Sequence, residues 1–369
     1  MIVVLHSTPN LTNGDPLTGV TKLIAIVISK LSFGVPMFFV ISGYCIAATC
    51  DSARRKPRAS ASFFYRRFRR IFPPYWVTAA LCIALAVVLT AVGQGDLVST
   101  DYGLIPHPSR LTLSQWFGNL TLTELWRPNL FGSPELKIVG PSWTLCYEEQ
   151  FYAVCGLLLS IAPRRFFSGV VAITLLTLVV APLGFLGITP SIRGFFFDSG
   201  WLLFAEGVAV YYALCLAPSS RPWIIFFAVV LVALAVARWG VPAVAADDTW
   251  RRTTLNLVGV TAFALVLLLL HPWDARLLRS PLARPFAVCG QMCYSLYLIH
   301  WPVTVLVTAA FFRAGYRSPL ESLLVVAPIA LGLSIAAGWV FHVYVERRFL
   351  NAPLSPVAPQ PTALADQAP

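Results

Sequence analysis

The chain alternates long apolar runs with short polar breaks, which is the rhythm of a bilayer-crossing protein rather than of a water-soluble core. A span needs about 20 apolar residues. Such runs fall at 1–7 (a remnant), 33–49, 71–92, 141–162, 168–188, 201–217, 223–238, 253–271, 286–311 and 320–342. The pattern predicts an all-α, polytopic membrane bundle of about ten transmembrane helices, the first of them truncated. Most breaks are short turns marked by Pro163, Pro218, Pro222, Pro272 and Pro285, as adjacent helices of a compact bundle require. Two connections are longer. Residues 51–70 are strongly basic, whereas 93–140 mix Trp116, Trp126, His107, Arg110, Arg127, Glu124 and Glu135 and are long enough to cap one mouth of the bundle.

The two ends read differently from the middle. Only about five apolar residues precede the polar segment Asn10 to Gly19, so residues upstream of Met1 are expected to complete the first helix. The stretch 351–369 is rich in Pro and Ala without periodicity and is expected to be a disordered tail following a membrane domain at 1–350. No internal repeat is visible, and no signal peptide.

Composition supports the membrane reading: 57% of residues are hydrophobic and 12% charged, with a mean hydropathy of +0.74. Basic residues orient the array, because short cytoplasmic loops retain Lys and Arg. After every second span come Arg54, Arg55, Lys56, Arg58, Arg66, Arg67, Arg69 and Arg70; Arg164 and Arg165; Arg221; Arg276, Arg279 and Arg284; and Arg347 and Arg348, sixteen of the 27 basic residues. Both termini are therefore expected in the cytoplasm, in a multi-pass protein of the inner or plasma membrane. The net charge of +11 follows from this asymmetry and does not call for nucleic acid. Of the eight cysteines, Cys45, Cys82, Cys155, Cys215, Cys289 and Cys293 fall within spans and read as buried thiols. No Cys or His grouping completes a metal site.

Chemistry is sought where ionisable groups interrupt the apolar pattern. His6 stands beside Ser7 at the end of the first run and can move a proton near neutral pH, or serve as an interfacial hydrogen-bonding residue. Arg67 and Arg70, three apart on a helix, can grip a phosphate with two guanidinium forks, or contact anionic lipid. Ser42-Gly43 within a span permits close helix packing or offers a hydroxyl. Glu148 and Glu149 are about 100° apart on a helix, so only one faces the bundle. Glu148, aligned with Leu145 and Tyr152, is the inward choice, while Trp143, Tyr147 and Phe151 form a separate stripe. His300 precedes Trp301 and Pro302 within a span, where a hydrogen bond to a freed carbonyl makes it a structural support. His271 and His342, at span ends, carry no assignment.

Taken in order, these segments resemble the acyltransferase-3 family of membrane-bound O-acyltransferases. The matching features are Val3 to Ser7 around His6; Gly34 to Tyr44; Arg67 and Arg70 before Ile71-Phe-Pro-Pro-Tyr-Trp76; Trp143 to Tyr152; Tyr294 to Pro302; and Val345-Glu-Arg347. The likeness covers about residues 1–350. It implies a ten-helix enzyme that takes an acyl group, commonly acetyl, from cytoplasmic acyl-CoA and passes it to a hydroxyl of a glycan or lipid-linked acceptor, with acyl-CoA as co-substrate and no bound cofactor. By the same resemblance His6 is the catalytic histidine and Glu148 an essential carboxylate. Arg67 and Arg70 bind the donor, with Ser42, Trp143, Tyr152 and His300 in support. The family's arginine about eleven residues before the histidine would lie upstream of Met1. Two other readings stay open, a polytopic transporter or flippase and a non-catalytic relative; neither would consume acyl-CoA.

Overall fold

The computed structural model describes residues 1–8, 19–100, 103–132, 134–185, 194–240 and 248–350. The tail expected at 351–369 lies outside them. The frame is built from α1 (Ile2–His6), α2 (Gly34–Ala53), α3 (Ala59–Ala91), α4 (Trp143–Ile161) and α5 (Phe166–Phe185). It continues with α6 (Gly200–Cys215), α7 (Arg221–Gly240), α8 (Asp248–Leu270), α9 (Cys293–Arg313) and α10 (Ala327–Tyr344). The all-α membrane bundle is as expected. Among the described residues, seven helical stretches are long and apolar enough to cross a membrane, fewer than the ten expected. The other three differ for physical reasons. The described part of α1 has 5 residues, α6 is apolar but has 16, and α4 has 19 whose apolarity is diluted by Glu148, Glu149 and Gln150.

Three boundaries also depart from the sequence pattern. The run expected from residue 33 begins at Gly19, where a helix to Ser29 and a tight turn over Lys30–Phe33 lead into α2; Lys22 and Lys30 interrupted the apolar run without breaking the backbone. Helix α3 starts at Ala59 rather than 71 and has 33 residues, about 50 Å of rod for about 30 Å of hydrocarbon. Its arginine-bearing end therefore projects beyond the bilayer on the same rigid element as the span. The run expected at 286–311 breaks at Met292. Before the break, His271 to Gln291 form short, largely exposed helices carrying Arg276, Arg279 and Arg284, which belong at an interface.

The described residues of the segment 93–140 fold as a cap. A two-stranded ladder pairs Ser99–Thr100 with Gly103–Leu104, and a helix over Leu113–Leu120 opens with a Thr112/Gln115 capping box. Side chains of that helix zip the stretch 134–138 alongside it. Gln115 donates to Pro134 O (2.8 Å), Asn119 donates to Leu136 O (2.8 Å), and Asn119 accepts from Ile138 N (2.8 Å). Beneath them Arg127 grips Glu124 with two bonds of 2.9 and 3.0 Å, both side chains being fully buried. Gly118 is required there, because a Cβ would run into the Glu124 carboxylate.

Between helices, close approach replaces the hydrophobic drive that lipid removes. Helices α2 and α6 meet at Gly43 and Gly207. A Cβ on Gly43 would collide with Phe204 O, and one on Gly207 with Val40 O. Around this contact Phe39, Phe151, Trp201 and Phe204 stack, Phe151 lying 4.6 Å from Phe204. All eight cysteines are free thiols.

Gly207→Ala should lower the thermal midpoint of the detergent-purified protein, since overpacking costs about 1–3 kcal/mol. Gly332→Ala, where an added Cβ meets nothing within 4 Å, should leave it unchanged or slightly raised. Equal midpoints for the two variants would show that the α2–α6 contact is not tight.

Candidate active site

The short helix α1 packs against α9 and α10, so His6 at its end faces the bundle. The following residues close the helix. Ser7 Oγ donates to Val3 O (2.8 Å), which also accepts from Ser7 N (3.0 Å), and Thr8 Oγ1 donates to Val4 O (2.8 Å). Ser7 is thereby committed to the backbone. The His6 imidazole lies 5.7 Å from the His300 ring, tilted by 30°, and 5.2 Å from Trp301, edge to face.

His300 is buried in α9, and its Nδ1 sits 3.1 Å from Leu296 O. A carbonyl only accepts, so the hydrogen is on Nδ1 and Nε2 carries a bare lone pair. That Nε2 is sealed from solvent and has no partner among the described residues; nor has Trp301 Nε1 beside it. The expected bond to a carbonyl freed by Pro302 takes a different form, because the carbonyl that Pro302 frees is that of Leu298. The two rings that flank His6 thus carry an unused acceptor, His300 Nε2, and an unused donor, Trp301 Nε1.

The motif at 140–152 is bolted to the same place. Gly140 lets the chain cross the face of Trp301, where a Cβ would strike the indole. Tyr297 Oη donates to Pro141 O (2.5 Å) and lies 2.9 Å from Thr144 Oγ1. From there α4 runs inward. Glu148, five residues beyond Trp143, is about 7 Å further along the axis. Its Oε1 accepts from Ser42 Oγ (2.5 Å) and its Oε2 from Tyr152 Oη (2.8 Å). The Glu148–Tyr152 alignment expected from helical spacing is thus a hydrogen bond, and Ser42 is its partner across the α2–α4 contact.

Arg67 continues the series. Its guanidinium lies 5.2 Å from the centre of the Tyr152 ring and 5.7 Å from that of Phe63, and its Nη2 donates to Thr49 Oγ1 (2.9 Å). Arg70 is exposed one turn along. Arg69, on the other face, donates to Arg348 O (3.0 Å).

The candidate residues therefore fall into two groups joined by α4. His6, His300 and Trp301 form one; Ser42, Glu148, Tyr152, Arg67 and Arg70 form the other. No described hydrogen bond joins Glu148 to His6. Trp143 stands apart, edge to face with Tyr147 at 6.3 Å. Glu149, read as facing outward, has its Oε1 enclosed without a partner.

Sequence reasoning left several polar groups unassigned. Trp301 was passed over beside the more conspicuous His300. Glu206 bonds Thr261 (2.7 Å) across α6 and α8, and its Oε2 has no partner among the described residues. His342 was set aside, yet its Nδ1 lies 2.7 Å from Glu346 Oε2, which also accepts from Ser295 Oγ (2.5 Å) and so ties α9 to the end of α10. An acidic residue within a mainly apolar run was the available signal for Glu206. Among the described residues no group of three or more His, Cys, Asp or Glu could hold a metal ion.

The sequence model of the acyltransferase-3 family, an acyltransferase domain, matches residues 1–343. Nodulation protein 10 of Rhizobium leguminosarum bv. viciae is 32% identical over 164 residues, 44% of this chain and 42% of the relative. The exopolysaccharide production protein ExoZ of Rhizobium meliloti (strain 1021) is 32% identical over 149 residues, 40% of each. O-acetyltransferase OatA of Staphylococcus aureus (strain NCTC 8325 / PS 47) is 23% identical over 297 residues, 76% of this chain and 47% of the relative. The chain thus spans less than half the length of these curated relatives. No solved structure matches it. With the matching model covering nearly the whole described bundle, which holds several helices long and apolar enough to cross a membrane, the chain belongs to the acyltransferase-3 family.

Proposed function

We propose that the protein transfers an acyl group, commonly acetyl, from acyl-CoA to a hydroxyl of a glycan or lipid-linked acceptor, with the donor entering from the cytoplasm, where both termini also lie. The observation that carries this reading is the pair of unused nitrogens on the rings that flank His6, an acceptor on His300 and a donor on Trp301, with α4 running from there toward Arg67. It is supported by the names of the relatives, one of them an O-acetyltransferase and another an exopolysaccharide production protein.

In this mechanism Arg67 and Arg70 hold the donor's phosphates as bidentate forks, and the pantetheine arm carries the thioester along α4 toward His6. His6 takes the proton of the acceptor hydroxyl as the new oxygen–acyl bond forms. The Trp301 N–H faces the oxyanion that develops on the thioester carbonyl. When that intermediate collapses the carbon–sulfur bond breaks and His6 returns the proton to the departing sulfur. His300 Nε2 accepts a hydrogen bond from His6 or from the acceptor and holds the reacting imidazole in one orientation. Glu148 is a positioning residue. Held by Tyr152 of its own helix, it joins α4 to α2 through Ser42.

His6→Ala should reduce acyl transfer from labelled acyl-CoA by about 10²–10⁴-fold, the usual contribution of a positioned acid–base group. Unchanged transfer, in a chain carrying any native residues upstream of Met1, would remove His6 from the reaction. His300→Phe, which keeps the ring volume and loses Nε2, should lower kcat at nearly constant KM for the donor.

The arginines predict the opposite split. Arg67→Lys keeps charge and loses the fork, and should raise the donor KM roughly tenfold or more with a smaller change in kcat, as Glu148→Gln should in milder form. A pure kcat effect in steady-state kinetics would place Arg67 outside the donor site.

A further inference from the structure

One cavity near the site has no part in the mechanism above. It is a cleft of about 320 Å³ between the cap and the outer end of α4, lined by Leu125, Glu135, Lys137, Trp143 and Tyr147. Its walls are rigid for identifiable reasons. Glu135 and Lys137, paired to each other, stand on the stretch that Gln115 and Asn119 zip down. The Tyr147 ring is anchored by its hydroxyl, which donates to Asp198 Oδ2 (2.5 Å), and Asp198 in turn accepts from Gly194 N (2.9 Å). Gly200 passes against that ring, where a Cβ would strike it. Trp143 stands edge-on to Tyr147, 6.3 Å away at 82°, and its indole N–H makes no hydrogen bond among the described residues.

The lining selects a chemistry. Fixed aromatic faces at right angles offer flat apolar surface at low ordering cost, while a carboxylate and an ammonium side by side present acceptors and donors one residue apart. A lipid tail would have to desolvate that pair without compensation. A nucleotide would bring its phosphates against Glu135. A sugar ring has both requirements, an apolar face of C–H bonds and a rim of hydroxyls. A volume of about 320 Å³ is at the small end of ligand pockets, suited to one ring rather than to a chain.

We propose that this cleft is a pyranose-binding subsite, one that holds a sugar unit of the acceptor beside the unit being acylated. The proposal rests on the reading of a glycan acceptor given above. It also accounts for the placement. Gly140, three residues before Trp143, lies on the Trp301 indole, and Trp301 is 5.2 Å from His6, so the cleft and the reacting imidazole stand at the same end of α4.

Saturation-transfer NMR on the full chain in lipid nanodiscs, with a panel of neutral and N-acetylated hexose oligosaccharides and no acyl-CoA, tests it. Transfer should appear on the ring C–H protons of one face. Trp143→Leu and Glu135→Gln should each weaken binding at least tenfold, whereas Trp143→Phe should retain it. Lack of transfer from every sugar, or transfer untouched by Trp143→Leu and Glu135→Gln, overturns the subsite. His6→Ala separates the two readings, because it should lose donor consumption and keep the sugar signal. A wild-type chain that consumes acyl-CoA but shows no sugar contact refutes the cleft alone. One that binds sugar through Trp143 but never consumes acyl-CoA refutes the transfer reaction and leaves the cleft standing.

Discussion

A polar group inside a bilayer has no water to turn to, so it finds a partner in the bundle or stands at a large free-energy cost. Most of this structure follows from how its buried carboxylates meet that condition. Glu148 is met by hydroxyls from α2 and α4, Glu206 on one oxygen by Thr261 of α8, Glu346 by Ser295 of α9 and His342 of α10, and Glu124 by the Arg127 fork within the cap. Three of these four join elements distant in sequence, where apolar side chains alone would slide against one another as readily as against lipid. The exceptions then become informative. Buried polar atoms without a partner among the described residues occur at several places, Tyr75, Glu149, Glu206, Thr308 and Ser334 among them, but two of them, both nitrogens, belong to rings that flank His6. Those rings are His300 and Trp301, and a missing partner beside an imidazole is a natural place for a substrate.

Helix α4 links the two groups of candidate residues. Its first turn is fixed by Tyr297 and Trp301 on the His6 side, and Tyr152, one turn past Glu148, lies under the Arg67 guanidinium. A single rigid element thus spans the distance between the surroundings of His6 and those of Arg67. The constraint propagates into α2 as well. The Gly43–Gly207 contact sets how deep α2 sits against α6, and the neighbouring Ser42 thereby reaches the Glu148 carboxylate at 2.5 Å.

Much of this was legible in the sequence, because bilayer-length apolar runs have few alternatives and because charges within them are rare. The bundle, the inward choice of Glu148 over Glu149, and the Glu148–Tyr152 pairing follow from hydropathy and a 3.6-residue period. What failed to show was of two kinds. Helix continuity through Lys22 and Lys30, and through the basic start of α3, is hidden because hydropathy registers where a helix meets lipid, not where its backbone bonds begin. Partners from distant segments are hidden because periodicity orders residues within one helix and says nothing about which helix lies opposite. His300 could be seen as an intramembrane imidazole; that it faces His6, and that Glu148 faces Ser42, required the packing of five separate helices.

That packing bears on which group does the chemistry. A general base needs a lone pair aimed at the proton it removes, and both oxygens of Glu148 already accept short bonds from hydroxyls held by the bundle. For Glu148 to act as base, a donor would have to leave, opening a buried vacancy at the α2–α4 contact. His6 faces no such conflict, since no described residue hydrogen-bonds its ring and its neighbours present one acceptor and one donor. In the proposed reaction the carboxylate therefore holds the frame and the donor-binding charges in register, while the imidazole, on a short helix packed against α9 and α10, is left to exchange the proton.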